Sequence, residues 1–225
     1  MRHSILQAPA HFRGLDPQLP VRCRRRNLPH WRQEGATYFV TFRLSDSLPK
    51  EVREQIRQER EAWFGNNPEP WTAAQAEEHE RRFNARIGTL LDNGAGCCAL
   101  GSQTAATLVE GSLRHFDGER YHLFSWVVMP NHVHCIVRPL GENSLDEIWE
   151  SWKGFTSHKL RKLGVDLEPI WFRECYDRIV RDAEHLYWVV QYILENPWKA
   201  GIEENSCPMG IHREWDPAIW AANGS

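Results

Sequence analysis

Two histidines lie two positions apart in a segment whose other residues predict a buried strand. The segment is VVMPNHVHCIV, residues 127–137, and the histidines are His132 and His134. Its valines and isoleucine favour a buried strand. Because alternate side chains of a strand point to the same face, we expect both imidazoles to project together, with Cβ atoms within ~7 Å. That spacing lets them reach one metal ion. Taken alone, a bare pair favours exposed histidines on the polar face of an edge strand over a metal site.

Two histidines do not complete a metal site, so another ligand must come from elsewhere in the chain. The last predicted helix begins after Asp182, ends at Pro197 and carries Tyr192 and Asn196 four positions apart. Residues with this spacing lie on one stripe of a helix. Ordinary structural roles are also open to them, a helix C-terminal cap for Asn196 and a half-buried ring for Tyr192. The stripe would place a nucleophile and an amide opposite the histidine pair.

The elements that must position these residues follow from periodicity and turn signals. The predicted strands are residues 37–44, 121–129, 132–137 and 170–181, and the predicted helices are residues 103–116, 144–163 and 182–196. Their order, β-α-β-β-α-β followed by a helix, predicts an α+β protein. We expect a ferredoxin-like (RRM-like) antiparallel sheet with helices on one face and a C-terminal helix that bears the tyrosine.

Three regions are expected along the chain. Residues 1–35 are rich in arginine and proline and predict an extended, partly disordered basic arm. Residues 36–201 form the main domain, in which residues 45–96 are a helical-hairpin insertion after the first strand. The second helix of this insertion is predicted around residues 83–91. Residues 202–225 form an aperiodic tail.

Composition limits the class of protein. The chain has 225 residues and a net charge of −3, and it lacks the ~18 uninterrupted apolar residues of a membrane span. The first 20 residues lack the apolar block of a signal peptide, so we expect a cytoplasmic protein. Six cysteines without a CxxC pair indicate reduced thiols rather than a disulfide framework or a zinc site.

Four segments together resemble a known family. They are VVMPNHVHCIV, SWKGFTSHKL, YDRIVRDAEHL and QYILENPWKAG, in this order. The sequence resembles the REP-associated tyrosine transposases, which are single-tyrosine HUH nucleases named for histidine–hydrophobe–histidine. The similarity runs from about Leu28 to Gly201, and the insertion at 45–96 departs from the family pattern. The chain also lacks the Trp-Ser-Ser stretch expected after Gly201.

The resemblance implies an activity and a set of site residues. His132 and His134 match the HUH pair, Tyr192 matches the catalytic tyrosine, and Asn196 matches the third metal ligand. Members of the family use Mg²⁺ or Mn²⁺ to cut single-stranded DNA near a hairpin. They form a phosphotyrosine link to the 5′ end and release a 3′-hydroxyl. Relatives are monomers or domain-crossed homodimers, so Tyr192 would act in its own chain or in a partner.

Basic and aromatic side chains predict contacts with the phosphates and bases of DNA. For Arg178 and Arg181, ion pairs with Asp177 and Asp182 are the favoured alternative, and for the others a solvated surface role is equally open. The candidates are Arg24, Arg25, Arg26, Trp31, Arg32, Lys153, Lys159, Arg178 and Arg181.

Two other functions remain open at this point. The same order of elements serves RNA recognition domains, so a non-catalytic nucleic-acid-binding module is the main alternative. Such a module would bind nucleic acid equally well with and without a metal chelator. A metallohydrolase that uses water is the second alternative, with Tyr192 as a core residue, and it would leave no protein attached to the DNA.

Overall fold

The structure, a computed structural model, describes residues 8–25, 29–68, 71–203 and 206–215. Its strands are β1 (Arg22–Arg25), β2 (Pro29–Arg32), β3 (Tyr38–Arg43), β4 (Tyr121–Val128), β5 (His132–Pro139), β6 (Tyr176–Ile179) and β7 (Met209–Ile211). Its α-helices are α1 (Lys50–Asn66), α2 (Ala73–His79), α3 (Arg86–Asp92), α4 (Gln103–Arg114), α5 (Leu145–Lys162) and α6 (Ala183–Lys199). Within the described ranges, no helix combines the length and apolar character needed to cross a membrane.

Five strands form one sheet in the order β6-β3-β5-β4-β7, and all neighbouring strands are antiparallel. The predicted α+β class with an antiparallel sheet is confirmed. The histidine strand, β5, lies at the centre, where both of its faces are covered. This position excludes the exposed edge strand that the histidine pair alone also allowed.

Helices cover both faces of this sheet, whereas the sequence predicted helices on one face. On the first face, Val40 and Val133 pack with residues of α4 and α5. On the other, Ile136 packs with Ile193 of α6. The reason lies in the strands themselves, because the histidine face of β5 also carries apolar residues. Such a face must be buried, and α6 covers it.

Side-chain caps fix the starts of α5 and α6. Ser144 accepts a hydrogen bond from the Glu147 N–H, and the Glu147 carboxylate accepts one in return, which completes a capping box. Asp182 accepts from the His185 N–H at the start of α6. Both predicted starts are confirmed.

The predicted end of α6 at Pro197 is wrong, because the helix continues to Lys199. Proline lacks an N–H and removes one helical hydrogen bond. The last turn is nevertheless closed by the N–H groups of Ala200 and Ile202, which donate to the carbonyls of Asn196 and Pro197. Asn196 is therefore an interior residue of the helix rather than its C-terminal cap.

The insertion is larger in helix content than the sequence predicted. Its second helical stretch begins at Ala73, ten residues before the predicted start, and runs through α2, a π-helical segment at 80–85 and α3. Ile56, Trp63 and Phe83 form a separate apolar cluster between this stretch and α1. These contacts stabilise helices that lie outside the main core.

The basic arm is partly a β-hairpin, which corrects the expectation of an extended segment without strands. β1 and β2 pair with each other, and β2 lies beside β6. His30 and Arg32 from β2 both bond to the carboxylate of Asp177 on β6. These buried ion pairs hold the hairpin against the domain. The arginine-rich composition of the arm gives no sign of them. Residues 1–7 and 26–28 lie outside the described ranges.

The last predicted strand, 170–181, is regular only at Tyr176–Ile179. Ile170 and Phe172 instead make single hydrogen bonds across the end of β3, from the Ser45 N–H to the Ile170 carbonyl and from the Phe172 N–H to the Arg43 carbonyl. The tail also differs from its aperiodic prediction, because Met209–Ile211 adds an edge strand beside β4.

Candidate active site

The two histidines project from β5 toward the same point. Their Nε2 atoms lie 3.0 Å apart, and both side chains are buried. Across the sheet, β3 places Thr41 opposite His134 and Arg43 opposite His132. Alternation along two paired strands therefore collects these four side chains on one face.

The other ring nitrogen of each histidine is held by an oxygen. Nδ1 of His132 lies 2.7 Å from Oδ1 of Asn131, and Nδ1 of His134 lies 2.7 Å from Oγ1 of Thr41. The amide oxygen can only accept, so Nδ1 of His132 donates and its Nε2 carries a lone pair. Partners of this kind fix the tautomer of metal-binding histidines.

Both imidazoles are neutral at physiological pH. Burial, with a smaller effect of Arg43, lowers the pKa of His132 to about 3. Burial, followed by the effect of His132, lowers the pKa of His134 well below its ordinary value. Neutral histidine is the form that binds metal ions, so the site has the required protonation state without loss of a proton.

Helix α6 brings Tyr192 and Asn196 to this face. The Tyr192 hydroxyl lies 3.3 Å from Nε2 of His134. Its pKa is raised, first by burial and then by Asp92, with an opposing effect of the Asn196 amide. Asn196 is fully buried, and neither of its amide atoms has a hydrogen-bond partner among the described residues. An unpartnered buried amide is costly, which indicates that this group faces a ligand.

Asp92, at the end of α3, is the residue that the sequence did not single out. One carboxylate oxygen lies 3.8 Å from Nε2 of His132, and ligand atoms of Asp92, His132 and His134 all lie within 4.8 Å of one another. That oxygen is buried without a hydrogen-bond partner in the described part of the chain. Burial raises the pKa of Asp92, and the Asn196 amide partly offsets this effect. In the sequence, Asp92 is one acid among many on amphipathic helices of the insertion, forty positions before the histidines.

These donors fit a divalent metal ion. Two neutral imidazoles, a carboxylate and an amide oxygen are common metal ligands. A cation would satisfy the buried side-chain oxygens of Asp92 and Asn196, which have no hydrogen-bond partner among the described residues. The structure thus contains a possible metal site at Asp92, His132 and His134.

A solvent-accessible cleft of about 1090 Å³ opens over this site. Thr41 and His134 lie on its floor, and Tyr192 lies on the wall formed by α6. The opposite wall comes from α1 and α3 of the insertion. Arg43 and the 62% exposed Trp188, which the sequence prediction did not include, also line the cleft.

The predicted DNA-contact residues divide into exposed and internal groups. Trp31 and Lys159 are exposed. Arg32 is instead paired with Asp146 and Asp177, and Lys153 is buried, where it donates to the carbonyls of Phe172 and Arg173. As placed here, Arg32 and Lys153 support the fold and do not present a free charge to a ligand.

The remaining candidates lie near the start of α6 or on β1. Arg178 lines the cleft, and Arg181 is exposed. The expected pair between Arg181 and Asp182 is absent among the described residues, because Asp182 caps α6 instead. Arg24 and Arg25 lie on β1, and their side chains, like the whole of Arg26, lie outside the described part of the structure.

The sheet and the site define a class: an α+β protein with a possible metal site and a tyrosine hydroxyl beside it. Over 82 residues the chain is 29% identical to the REP-associated tyrosine transposase of Escherichia coli (strain K12), a match that covers 36% of this chain and 47% of that protein. The chain therefore matches about half the length of this curated relative. The resemblance to REP-associated tyrosine transposases is thus found by direct comparison.

A solved structure is also similar. It is the structure of the REP-associated tyrosine transposase bound to a REP hairpin, at 19% identity and a TM-score of 0.39, with 81% of this chain and 76% of the other covered. No family model matches the chain.

Proposed function

We propose that this protein is a metal-dependent nuclease and strand transferase that cuts single-stranded DNA beside a hairpin through a covalent 5′-phosphotyrosine intermediate. The observation that carries the proposal is the Tyr192 hydroxyl, 3.3 Å from Nε2 of His134 on the wall of an accessible cleft. The transposase-like function on DNA is supported by the similarity to the curated relative.

His132, His134, Asn196 and Asp92 are the proposed ligands of Mg²⁺ or Mn²⁺. When bound, the ion would withdraw charge from a non-bridging phosphate oxygen and favour the ionised phenol. Asn131 and Thr41 would hold the two imidazoles in the ligating orientation, because each occupies the opposite ring nitrogen.

Tyr192 is the proposed nucleophile. Its Oη would form a bond to phosphorus while the bond from phosphorus to the 3′-oxygen breaks, which leaves the 5′ phosphate on the tyrosine. The proton that Oη loses is matched by the proton that the departing 3′-oxygen gains. A phenolate is a fair leaving group, so a DNA 3′-hydroxyl can reverse the step without ATP. Burial raises the pKa of Tyr192 and keeps the hydroxyl protonated until a cation is nearby.

One chain supplies the whole proposed site. Tyr192 faces His134 of its own chain, so we propose that a monomer is competent for cleavage.

We also interpret the sheet as ferredoxin-like. The four strands β3, β4, β5 and β6 are arranged as 4-1-3-2 in terms of their own chain order, and each neighbouring pair is antiparallel.

Contacts with the DNA are proposed for the exposed or cleft-lining candidates. Arg178 and Arg181 both lie just before the start of α6, the helix that carries Tyr192. Lys159 and Trp31 offer a cation and an exposed ring at other surfaces. Contacts of Arg24 and Arg25 on β1 stay predictions, and so does a contact of Arg26, which lies outside the described residues.

The test is a denaturing gel. Purified full-length protein is incubated with Mn²⁺ and a pool of hairpin oligonucleotides with randomised single-stranded flanks. The wild type should form a protein–DNA adduct that survives denaturation, and Tyr192→Phe should form none while it binds DNA within about twofold of wild type. EDTA should abolish the adduct.

Each other outcome would indicate a different function or a different nucleophile. Binding that is indifferent to EDTA, with no adduct from the wild type, would leave the non-catalytic module. Cut DNA without attached protein would indicate hydrolysis by water. An adduct that persists in Tyr192→Phe would move the nucleophile to Tyr176 or Tyr187.

A further inference from the structure

Arg43 is a buried cation that has no carboxylate partner in the described part of the chain. It is 9% exposed, and its side chain lies on the same sheet face as the histidine pair, opposite His132. Its guanidinium stacks on the Phe172 ring at 3.8 Å, and Nη1 donates to Ser47 Oγ at 3.0 Å and to the Leu44 carbonyl. These contacts orient the group, but they are neutral and leave its charge without compensation.

A second arginine approaches from the insertion. Arg53 of α1 lines the same cleft, and its Nε is buried without a partner among the described residues. No described carboxylate forms an ion pair with either arginine. Burial, and then the proximity of Arg53, lowers the pKa of Arg43 to about 9. Two like charges therefore lie close together in a partly desolvated space, which costs free energy unless an anion is present.

The acids of the cleft are occupied elsewhere. Glu54 and Glu61 both pair with Arg57 of the same helix, Glu174 lies near Arg60, and Asp92 faces the histidines. Among the described residues, Arg43 and Arg53 are thus two cations of the cleft that no carboxylate pairs with, and Arg43 lies beside the proposed metal site.

We propose that Arg43 and Arg53 together bind a phosphate group of the DNA strand that lies in the cleft, so that the insertion is part of the substrate-binding site. The inference rests on the proposed DNA-cleaving function and adds a role for residues 45–96. Arginine suits this role, because its planar fork donates two hydrogen bonds to phosphate oxygens. A strand held between β3 and α1 would pass directly over the histidines and Tyr192.

The test measures DNA affinity without metal or cleavage. Fluorescence anisotropy of a labelled hairpin oligonucleotide with a single-stranded flank is recorded in EDTA over a salt series. Arg53→Ala should weaken binding about tenfold and reduce the slope of log K against log salt by about one. Arg57→Ala is the matched control, one turn along the same helix and already paired with Glu54 and Glu61, and it should change affinity less than twofold.

Arg43→Met separates binding from a structural role. Because replacement of an uncompensated buried charge by an apolar residue does not cost stability, the melting temperature should stay the same or rise while DNA affinity falls about tenfold. A lower melting temperature with unchanged affinity would mean that Arg43 only supports the fold, which would overturn the inference. Inorganic phosphate at matched ionic strength should compete weakly. Full displacement of the oligonucleotide by phosphate would instead indicate a site for the free anion.

The two proposals fail separately. If the wild type forms the covalent adduct but Arg53→Ala and Arg57→Ala have the same affinity and salt slope, this inference is wrong and the proposed function stands. If no adduct forms but Arg53→Ala alone weakens binding, the cleavage proposal is wrong and the phosphate site stands.

Discussion

Asn131 connects the insertion to the histidine pair through a single side chain. Its amide nitrogen donates to the carbonyls of Leu91 and Ala95 at the end of the insertion, and its amide oxygen accepts from His132. The residue is 1% exposed, so these bonds are shielded from water. Leu91 immediately precedes Asp92. Asn131 therefore links two proposed metal ligands, Asp92 and His132, through one set of hydrogen bonds.

At the residue scale, Asp92 is the residue through which the insertion reaches the possible metal site. We predict that Asp92→Asn lowers the affinity for Mn²⁺ at least tenfold, because an anionic ligand is replaced by a neutral one. Isothermal titration calorimetry, or electron paramagnetic resonance of free Mn²⁺, measures this directly and does not depend on activity. Asp166→Asn, which changes an exposed carboxylate, is the matched control. Unchanged affinity in Asp92→Asn together with a loss in His134→Ala would show that the metal is held without the insertion.

At the element scale, α6 presents a stripe whose burial increases along the helix. Trp188 is 62% exposed, Tyr192 is half-buried and Asn196 is fully buried, each four residues after the last. The helix therefore extends from the open cleft to the proposed metal site. The four-residue spacing of this stripe can be read from the sequence. Which end of the stripe is buried cannot.

Trp188 is expected to stack on an unpaired base. Base stacking on an aromatic ring contributes about 1–3 kcal/mol per base, so Trp188→Ala should weaken binding of single-stranded DNA at least fivefold in anisotropy measurements. Trp198→Ala is the control, because Trp198 is 77% exposed on the same helix and does not line the cleft. Equal effects of the two substitutions would contradict this role.

The aromatic cluster of the insertion gives a pH dependence. His79 packs against the rings of Trp63, Phe64 and Trp71, and burial, followed by the effect of Arg60, lowers its pKa to about 4. In the unfolded chain its pKa is about 6.5. Between these values the unfolded state binds a proton that the folded state excludes. The free energy of unfolding therefore falls as the pH falls through this window, by up to about 1.4 kcal/mol per unit.

His79→Phe should remove this contribution, since the ring remains but cannot bind a proton. Urea unfolding at about pH 7 and about pH 5 checks it, because the wild type should lose about 1–2 kcal/mol more than the variant between the two conditions. The same loss in both proteins would mean that His79 does not carry the effect.

At the scale of the whole molecule, local sequence patterns predicted the helices and strands better than they predicted the contacts between residues far apart in the chain. Alternation placed His132 and His134 on one face, and side-chain oxygens marked the starts of α5 and α6 at Ser144 and Asp182. Each of these depends on neighbours a few positions away in the chain. The antiparallel sheet followed from the order of the elements.

Features that depend on distant contacts were missed. Asp92 and Arg43 have no local signature, because an acid on an amphipathic helix and an arginine in a strand are both ordinary. Arg32 and Lys153 look like surface cations in the sequence, yet Arg32 meets Asp177 across 145 positions and Lys153 meets carbonyls about 20 positions away. Burial of a charge is decided by the partner that the fold brings to it.

The proposed function depends on which residue becomes covalently attached to DNA, and peptide mapping of the adduct identifies that residue. After reaction with Mn²⁺ and the pooled hairpin DNA, digestion with trypsin and a nuclease should leave nucleotide on the peptide that spans residues 182–199. Fragmentation should place it on Tyr192. Nucleotide on Tyr187 or Tyr176, or cut DNA with no modified peptide, would contradict Tyr192 as the nucleophile beside the histidine pair.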